Sequence, residues 1–150
     1  MKEVIGKDMF EHYLEPDVIY VVTTNGYVKN NGEAVMGRGT AKDAATLHPK
    51  LPAMLGDLLL AYGNRPFLLT GNIVTLPVKH RWDEKADLEL IEDSLIVLAD
   101  LRLIYDWDTA HGRRIYLPRP GCGNGQLDWS LVVSMVEATM NFDNVTVWSL

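Results

Sequence analysis

The sequence predicts an α/β fold, a three-layer α/β/α sandwich around a mixed, largely parallel central sheet. Three observations carry this. Short runs of β-branched and aromatic residues alternate with amphipathic helical stretches along the chain. The longest of these runs, Val18 to Val22 in DVIYVVTTN, is apolar at successive positions, as in a strand buried on both faces. Two glycine-rich stretches each join such a strand to a helix, and in open α/β sheets ligands sit beyond the carboxyl ends of strands.

The elements follow in order. EVI near the start is a short edge strand, and DVIYVVTTN is the first long one. GTAKDAATLH is a short alanine-rich helix, and LPAMLGDLLLAYG is another, opened by Pro52 and closed by Gly63. FLLTG is a candidate strand, and NIVTLPV and RIYLP are strands whose prolines mark their carboxyl ends. From Asp87, a credible N-cap, Leu88, Ile91, Leu95, Leu98 and Leu101 recur at helical spacing. Asp128 likewise precedes Trp129, Val132, Val133, Val136 and Met140, and NVTVWSL is the last strand. No repeat, low-complexity tract or linker divides the chain, so residues 1–150 read as a single domain, long enough to bury a core.

Composition narrows the function. Hydrophobic residues make up 47% and charged residues 23%, as in soluble globular proteins. No apolar run approaches the roughly 18 residues of a membrane span, and MKEVIGKDMFEHYLEP lacks a signal-peptide core. One cysteine rules out an internal disulfide framework and fits a reducing cytoplasm. The net charge of -6, with no lysine/arginine cluster beyond VKHR and HGRR, argues against broad nucleic-acid binding. The histidines and the cysteine show no metal-ligand spacing, and no cofactor is expected.

A small anion held by backbone amides remains compatible with that charge. TTNGYVKNNGEAVMGRGTAKDAA and LPRPGCGNGQLDWS share one grammar of strand, glycine-rich loop and helix. A helix start offers unpaired N–H groups, and glycines let the backbone approach a phosphate. Two such loops suit a diphosphate. Neither is a dinucleotide fingerprint: Lys42 and Gln126 stand where a third glycine is required. No P-loop pattern occurs either.

AVMGRGTA and LPRPGCGNGQLDW resemble the two ligand loops of macro domains, the ADP-ribose-binding fold. The resemblance is to the branch holding terminal ADP-ribose glycohydrolases, DNA-ADP-ribosylation antitoxins and phage- or yeast-type ADP-ribose-1''-phosphate phosphatases. KDMF, LPVKHRWDEKADLELIEDSL and VTVWSL extend it over nearly the whole chain. It implies that Asp8 accepts a hydrogen bond from the adenine amino group and that Asn25 touches the distal ribose in a catalytic role. Met36, Gly37, Arg38, Gly39 and Thr40 would form the first diphosphate loop. Pro120, Gly121, Cys122, Gly123, Asn124 and Gly125 would form the second, and Trp148 would stack on adenine. Taken from the residues alone, Asn25 before glycine is also the usual Asx-turn pattern.

The sequence departs from the relatives at two positions. Ala45 stands at the catalytic lysine of the lysine-dependent members and Gly125 at the acidic residue of the glycohydrolase; Lys42 and Asp43 lie nearby on the same helix. The GYVKNN insert lengthens the first loop. Cys122 reads as a small residue lining a loop, because none of His12, His48, His80 and His111 is spaced to serve it as a base. Trp82, Trp107 and Trp129 read as packing residues. The expected function is binding of ADP-ribose, free or on an ADP-ribosylated macromolecule, with hydrolysis of a derivative at the distal ribose. The alternative is a non-catalytic reader or sequestering module.

Overall fold

A computed structural model describes residues 1–13, 15–107 and 112–150. Five strands form one sheet: β1 (Lys2–Ile5), β2 (Val18–Asn25), β3 (Ile73–Lys79), β4 (Arg114–Pro118) and β5 (Val145–Ser149). They lie in the order β1-β5-β4-β2-β3, and every pairing between them is parallel. Four helices complete the fold: α1 (Gly39–Leu47), α2 (Leu51–Tyr62), α3 (Leu88–Ile104) and α4 (Trp129–Met140). The expected mixed character reduces to isolated antiparallel bridges. FLLTG forms no strand and contributes only the bridge between Leu68 and Val74.

The period-two alternation of β2 divides the core. Ile19 and Val21 pack with Val74, Leu76 and the apolar faces of α3 and α4, among them Ile91, Leu95, Val132 and Val136. Val18, Tyr20 and Val22 face the other way, onto Ala41 and Ala44 of α1 and Leu51, Leu55 and Leu59 of α2. These side chains are almost wholly buried, and each valine, leucine and isoleucine among them contributes about 1.5–3 kcal/mol. Both faces of β2 are therefore apolar, which is why its sequence does not alternate.

Asp87 caps α3 as its spacing predicts, its Oδ1 accepting from the amides of Glu89 and Leu90 at 3.0 and 3.4 Å. Asp128 occupies the N-cap of α4 without a side-chain bond to it. Pro77 does not end β3. The strand runs through it to Lys79, which an edge position permits because one side of the strand needs no partner. The GYVKNN insert folds into a tight hairpin bridged between Val28 and Ala34 and docked on α2. A Cβ at Gly56 would stand 1.9 Å from the Gly32 carbonyl oxygen, so glycine is what lets the hairpin lie there.

Candidate functional site

Because the strands are parallel, their carboxyl ends share one edge. A cavity of about 610 Å³ opens there, within the usual range of small-molecule sites, about 300–1,000 Å³.

One wall is the loop entering α1: Gly37, Arg38, Gly39 and Thr40 line the cavity. The amides of Gly39, Thr40 and Ala41 form the first turn of α1 and precede any intrahelical acceptor; no other group among the described residues accepts from them. Gly39 has φ 59°, a left-handed conformation that glycine adopts without strain. The Thr40 hydroxyl accepts from the Thr23 amide at 3.2 Å and ties the helix start to β2.

The opposite wall is the loop after β4, where Gly121, Cys122, Gly123, Asn124 and Gly125 line the cavity. It is closed by bonds from the Gln126 amide to the Gly123 carbonyl and from the Leu127 amide to the Gly121 carbonyl, both 3.0 Å. Gln126 adopts φ 64° where a glycine would be unstrained. The amides of Gly123, Asn124 and Gly125 donate to no group among the described residues. A Cβ on Gly39 would lie 3.8 Å from Asn124 Nδ2, so the two loops come close across the cavity. A Cβ at Gly125 would stand 2.4 Å from the Gly121 carbonyl oxygen and 2.8 Å from Ala86 Cβ. That is why the acidic residue implied by the resemblance has no room at this position.

The charge around the cavity opposes the charge of the chain. Lys7, Arg38, Lys79 and Arg119 line it beside the side-chain carboxylates of Asp8 and Asp43, and Arg119 also pairs with Glu3 at 3.6 Å. A local excess of cations, added to unpaired amides at a helix start, gives this cavity electrostatics that suit an anion within an acidic protein. Asp8 Oδ1 accepts from the Phe10 amide at 2.9 Å. Burial first, and then the nearby Asp8 carboxylate, push the Asp43 carboxyl above its ordinary value. Trp148 lines the cavity with its ring 4.9 Å from that of Tyr116.

Asn25 lines the cavity, but both ends of its amide are engaged. Nδ2 donates to the Val35 carbonyl at 3.1 Å and Oδ1 accepts from the Tyr27 amide at 3.0 Å. The Asx turn is therefore present, and it ties the end of β2 to the approach of the first loop. One Nδ2 hydrogen and one Oδ1 lone pair remain for a ligand.

The structure does not bring Met36 or Pro120 to the cavity. Met36 is 7% exposed and packs in the α1–α2 core, because the loop must anchor an apolar side chain beneath its glycines. Pro120 is buried behind the second loop. Trp82, expected in the core, is instead half-exposed in the cavity wall. Ala45 packs against the core and Lys42 is exposed; of the α1 charges, Asp43 lines the cavity. Lys7, Lys79 and Arg119 are among the lining residues to which the sequence assigned no role.

Burial is the main reason that the Cys122 thiol is held above its ordinary value. No histidine lines the cavity among the described residues. His80 pairs with Asp87 at 2.9 Å, His48 with the Tyr13 hydroxyl, and His12 lies beside Glu11, while His111 is outside the described residues. Cys122 thus has neither base nor thiolate character. Among the described residues no three His, Cys, Asp or Glu side chains converge to hold a metal ion, and no helix is long and apolar enough to cross a membrane.

This architecture recurs in solved structures. DarTG of Thermosipho africanus in complex with ADP-ribose superposes over 99% of this chain with a TM-score of 0.76 at 18% identity. The DarG macrodomains of Thermus aquaticus and Mycobacterium tuberculosis give TM-scores of 0.72 and 0.69 at 24% and 22% identity. The chain has the macrodomain fold. The match covers 99% of this chain and 95% of the Thermus aquaticus macrodomain, and 88% of each chain for that of Mycobacterium tuberculosis. It spans only 42% of the Thermosipho africanus protein. No family model and no curated protein matches the sequence, so the macrodomain likeness rests on the arrangement of strands, helices and loops.

Proposed function

We propose that the chain binds ADP-ribose and hydrolyses an ADP-ribose derivative at the distal ribose. The observation that carries this is the pair of facing loops, each presenting unpaired amides, in a cation-rich cavity at the carboxyl edge of the sheet. A diphosphate between them would receive N–H donors from both walls without a dense basic patch. Adenine would lie toward Asp8, whose second carboxylate oxygen is left to accept from the exocyclic amine, with Trp148 beside it. The ADP-ribose complex of the Thermosipho africanus protein, which has the same fold, supports the choice of ligand.

The distal ribose would lie toward Asn25, whose remaining Nδ2 hydrogen orients a sugar hydroxyl. For an ADP-ribosyl conjugate, a water oxygen attacks the anomeric carbon and the bond to the leaving group breaks with its electron pair. The proton from water passes to the leaving group, and a ligand phosphate oxygen polarises the attacking water. For a 1''-phosphate the same water attacks phosphorus, the bond from phosphorus to the ribose oxygen breaks with its electron pair, and the water's proton passes to that oxygen, which releases ADP-ribose and inorganic phosphate.

The test is multiple-turnover release of phosphate or free ADP-ribose from a panel holding ADP-ribose-1''-phosphate and ADP-ribosylated peptide and oligonucleotide. Turnover on one class, lost in Asn25→Ala, is the expected result. Tight binding without release across the panel would contradict hydrolysis. It would favour a reader, the reading supported by Ala45, a partly buried residue against the core that stands where the resemblance implies a catalytic lysine.

A further inference from the structure

Helix α3 buries one face and leaves a second, patterned face to solvent. Ile91, Ser94, Leu95 and Leu98 turn inward to the core. On the outside, Asp93, Ile96, Asp100 and Leu103 recur at steps of three, four and three residues, all of them exposed. That is the spacing of a coiled-coil seam, with carboxylates at its a positions and aliphatic residues at d. Ile96 is 49% exposed, Leu103 66% and the adjoining Ile104 72%. Scattered apolar side chains on a surface are ordinary, but three along one side of one helix mark a contact surface. None of these residues lines the cavity.

Charge decides what fits there. Glu89, Glu92, Asp93 and Asp100 have no cation within 4.0 Å among the described residues. α3 and α4 cover this side of the sheet. Together they carry those four carboxylates and Glu137 against a single basic side chain, Arg102, which lies over the Phe142 ring at 3.5 Å. A second copy of the chain does not suit the seam. Two parallel α3 helices would set Asp93 against Asp93 and Asp100 against Asp100. An antiparallel pair would put Asp93 across from Leu103 and Asp100 across from Ile96, burying carboxylates against aliphatic groups.

We propose that the outer seam of α3 docks an amphipathic helix of a partner protein, running parallel to it. The partner presents lysine or arginine to Asp93 and Asp100 and aliphatic residues to Ile96 and Leu103. Charges at a positions fix register and exclude other partners, so the seam selects this pattern. The proposal does not depend on what the cavity binds.

The experiment is fluorescence anisotropy of the full chain with labelled synthetic helical peptides about three heptads long. One carries lysine at a and leucine at d, a second glutamate at a and leucine at d, and a third the first composition in scrambled order. The lysine peptide is expected to bind at least about tenfold more tightly than either of the others. Asp93→Lys combined with Asp100→Lys is expected to reverse the order in favour of the glutamate peptide, with far-UV circular dichroism unchanged. Leu103→Asp, which keeps both aspartates, is expected to weaken the lysine peptide about tenfold and serves if the double variant does not fold. Binding of no peptide, equal binding of the lysine and scrambled peptides, or affinities unmoved by the substitutions would overturn the proposal. Sedimentation showing self-association of the unmodified chain that Leu103→Asp abolishes would also overturn it, because a second copy would then hold the seam.

Discussion

Gly125→Ala tests the packing of the second loop most sharply, because Gly123→Ala two residues earlier provides its own control. The methyl added at 125 would meet the Gly121 carbonyl oxygen at 2.4 Å, its carbon at 2.8 Å and Ala86 Cβ at 2.8 Å, so backbone has to move. Overpacking of this kind costs about 1–3 kcal/mol. The shift also strains the bond from the Ala86 amide to the Gly125 carbonyl, now 3.0 Å, which adds about 1 kcal/mol. The sum is about 2–4 kcal/mol, and a chain of this size loses roughly 2–4 °C in Tm per kcal/mol, so the melting temperature falls by about 5–15 °C. At Gly123 an added Cβ meets nothing within 4 Å, and the change stays within about 0.5 kcal/mol. Calorimetric melting of both variants decides the matter. Equal destabilisation, or a Gly125→Ala protein that melts with the wild type, would show that the contacts at position 125 do not set the packing of the loop.

Gly56→Ala places its methyl 1.9 Å from the Gly32 carbonyl oxygen. It should displace the hairpin and cost at least about 2 kcal/mol by urea unfolding. Asp87→Ala removes the cap of α3, for about 0.5–2 kcal/mol at neutral pH. The bond to His80 is the first cause holding the Asp87 carboxyl below its ordinary value. That contribution is complete above the unfolded carboxylate value near 3.9 and is lost as pH falls through the folded value, so the wild-type advantage should shrink progressively in urea melts below about pH 4. Cys122, with its thiol raised by burial, should alkylate more slowly than glutathione at about pH 8, and Cys122→Ala should retain ligand binding.

Periodicity made most of the fold legible. The unbroken apolar run of β2 announced a strand covered on both sides, and the leucine spacing after Asp87 placed α3 and its cap. The reading fell short where tertiary position decides the outcome. Pro77 stops a central strand but not an edge strand, and no local pattern says which β3 is. FLLTG has strand composition yet finds no neighbour beyond one bridge. At the site, the glycines of both loops could be read because turns and close approach demand them. Met36 could not be separated from its loop, because an apolar anchor and an apolar ligand contact are spelled alike. Lys79 escaped because a register shift, not its own neighbours in sequence, sets it across from Asn25. The net charge of -6 masked a locally cationic cavity, since composition sums over faces that folding separates.

Recognition of ADP-ribose is decided by calorimetric titration of the protein with ADP-ribose, beside ADP and AMP. Low-micromolar or tighter binding of ADP-ribose is expected, about 8 kcal/mol or more, with ADP clearly weaker and AMP, lacking the diphosphate, weaker still. Binding of ADP-ribose no tighter than that of ADP would mean that the cavity reads no distal ribose, and would contradict that recognition.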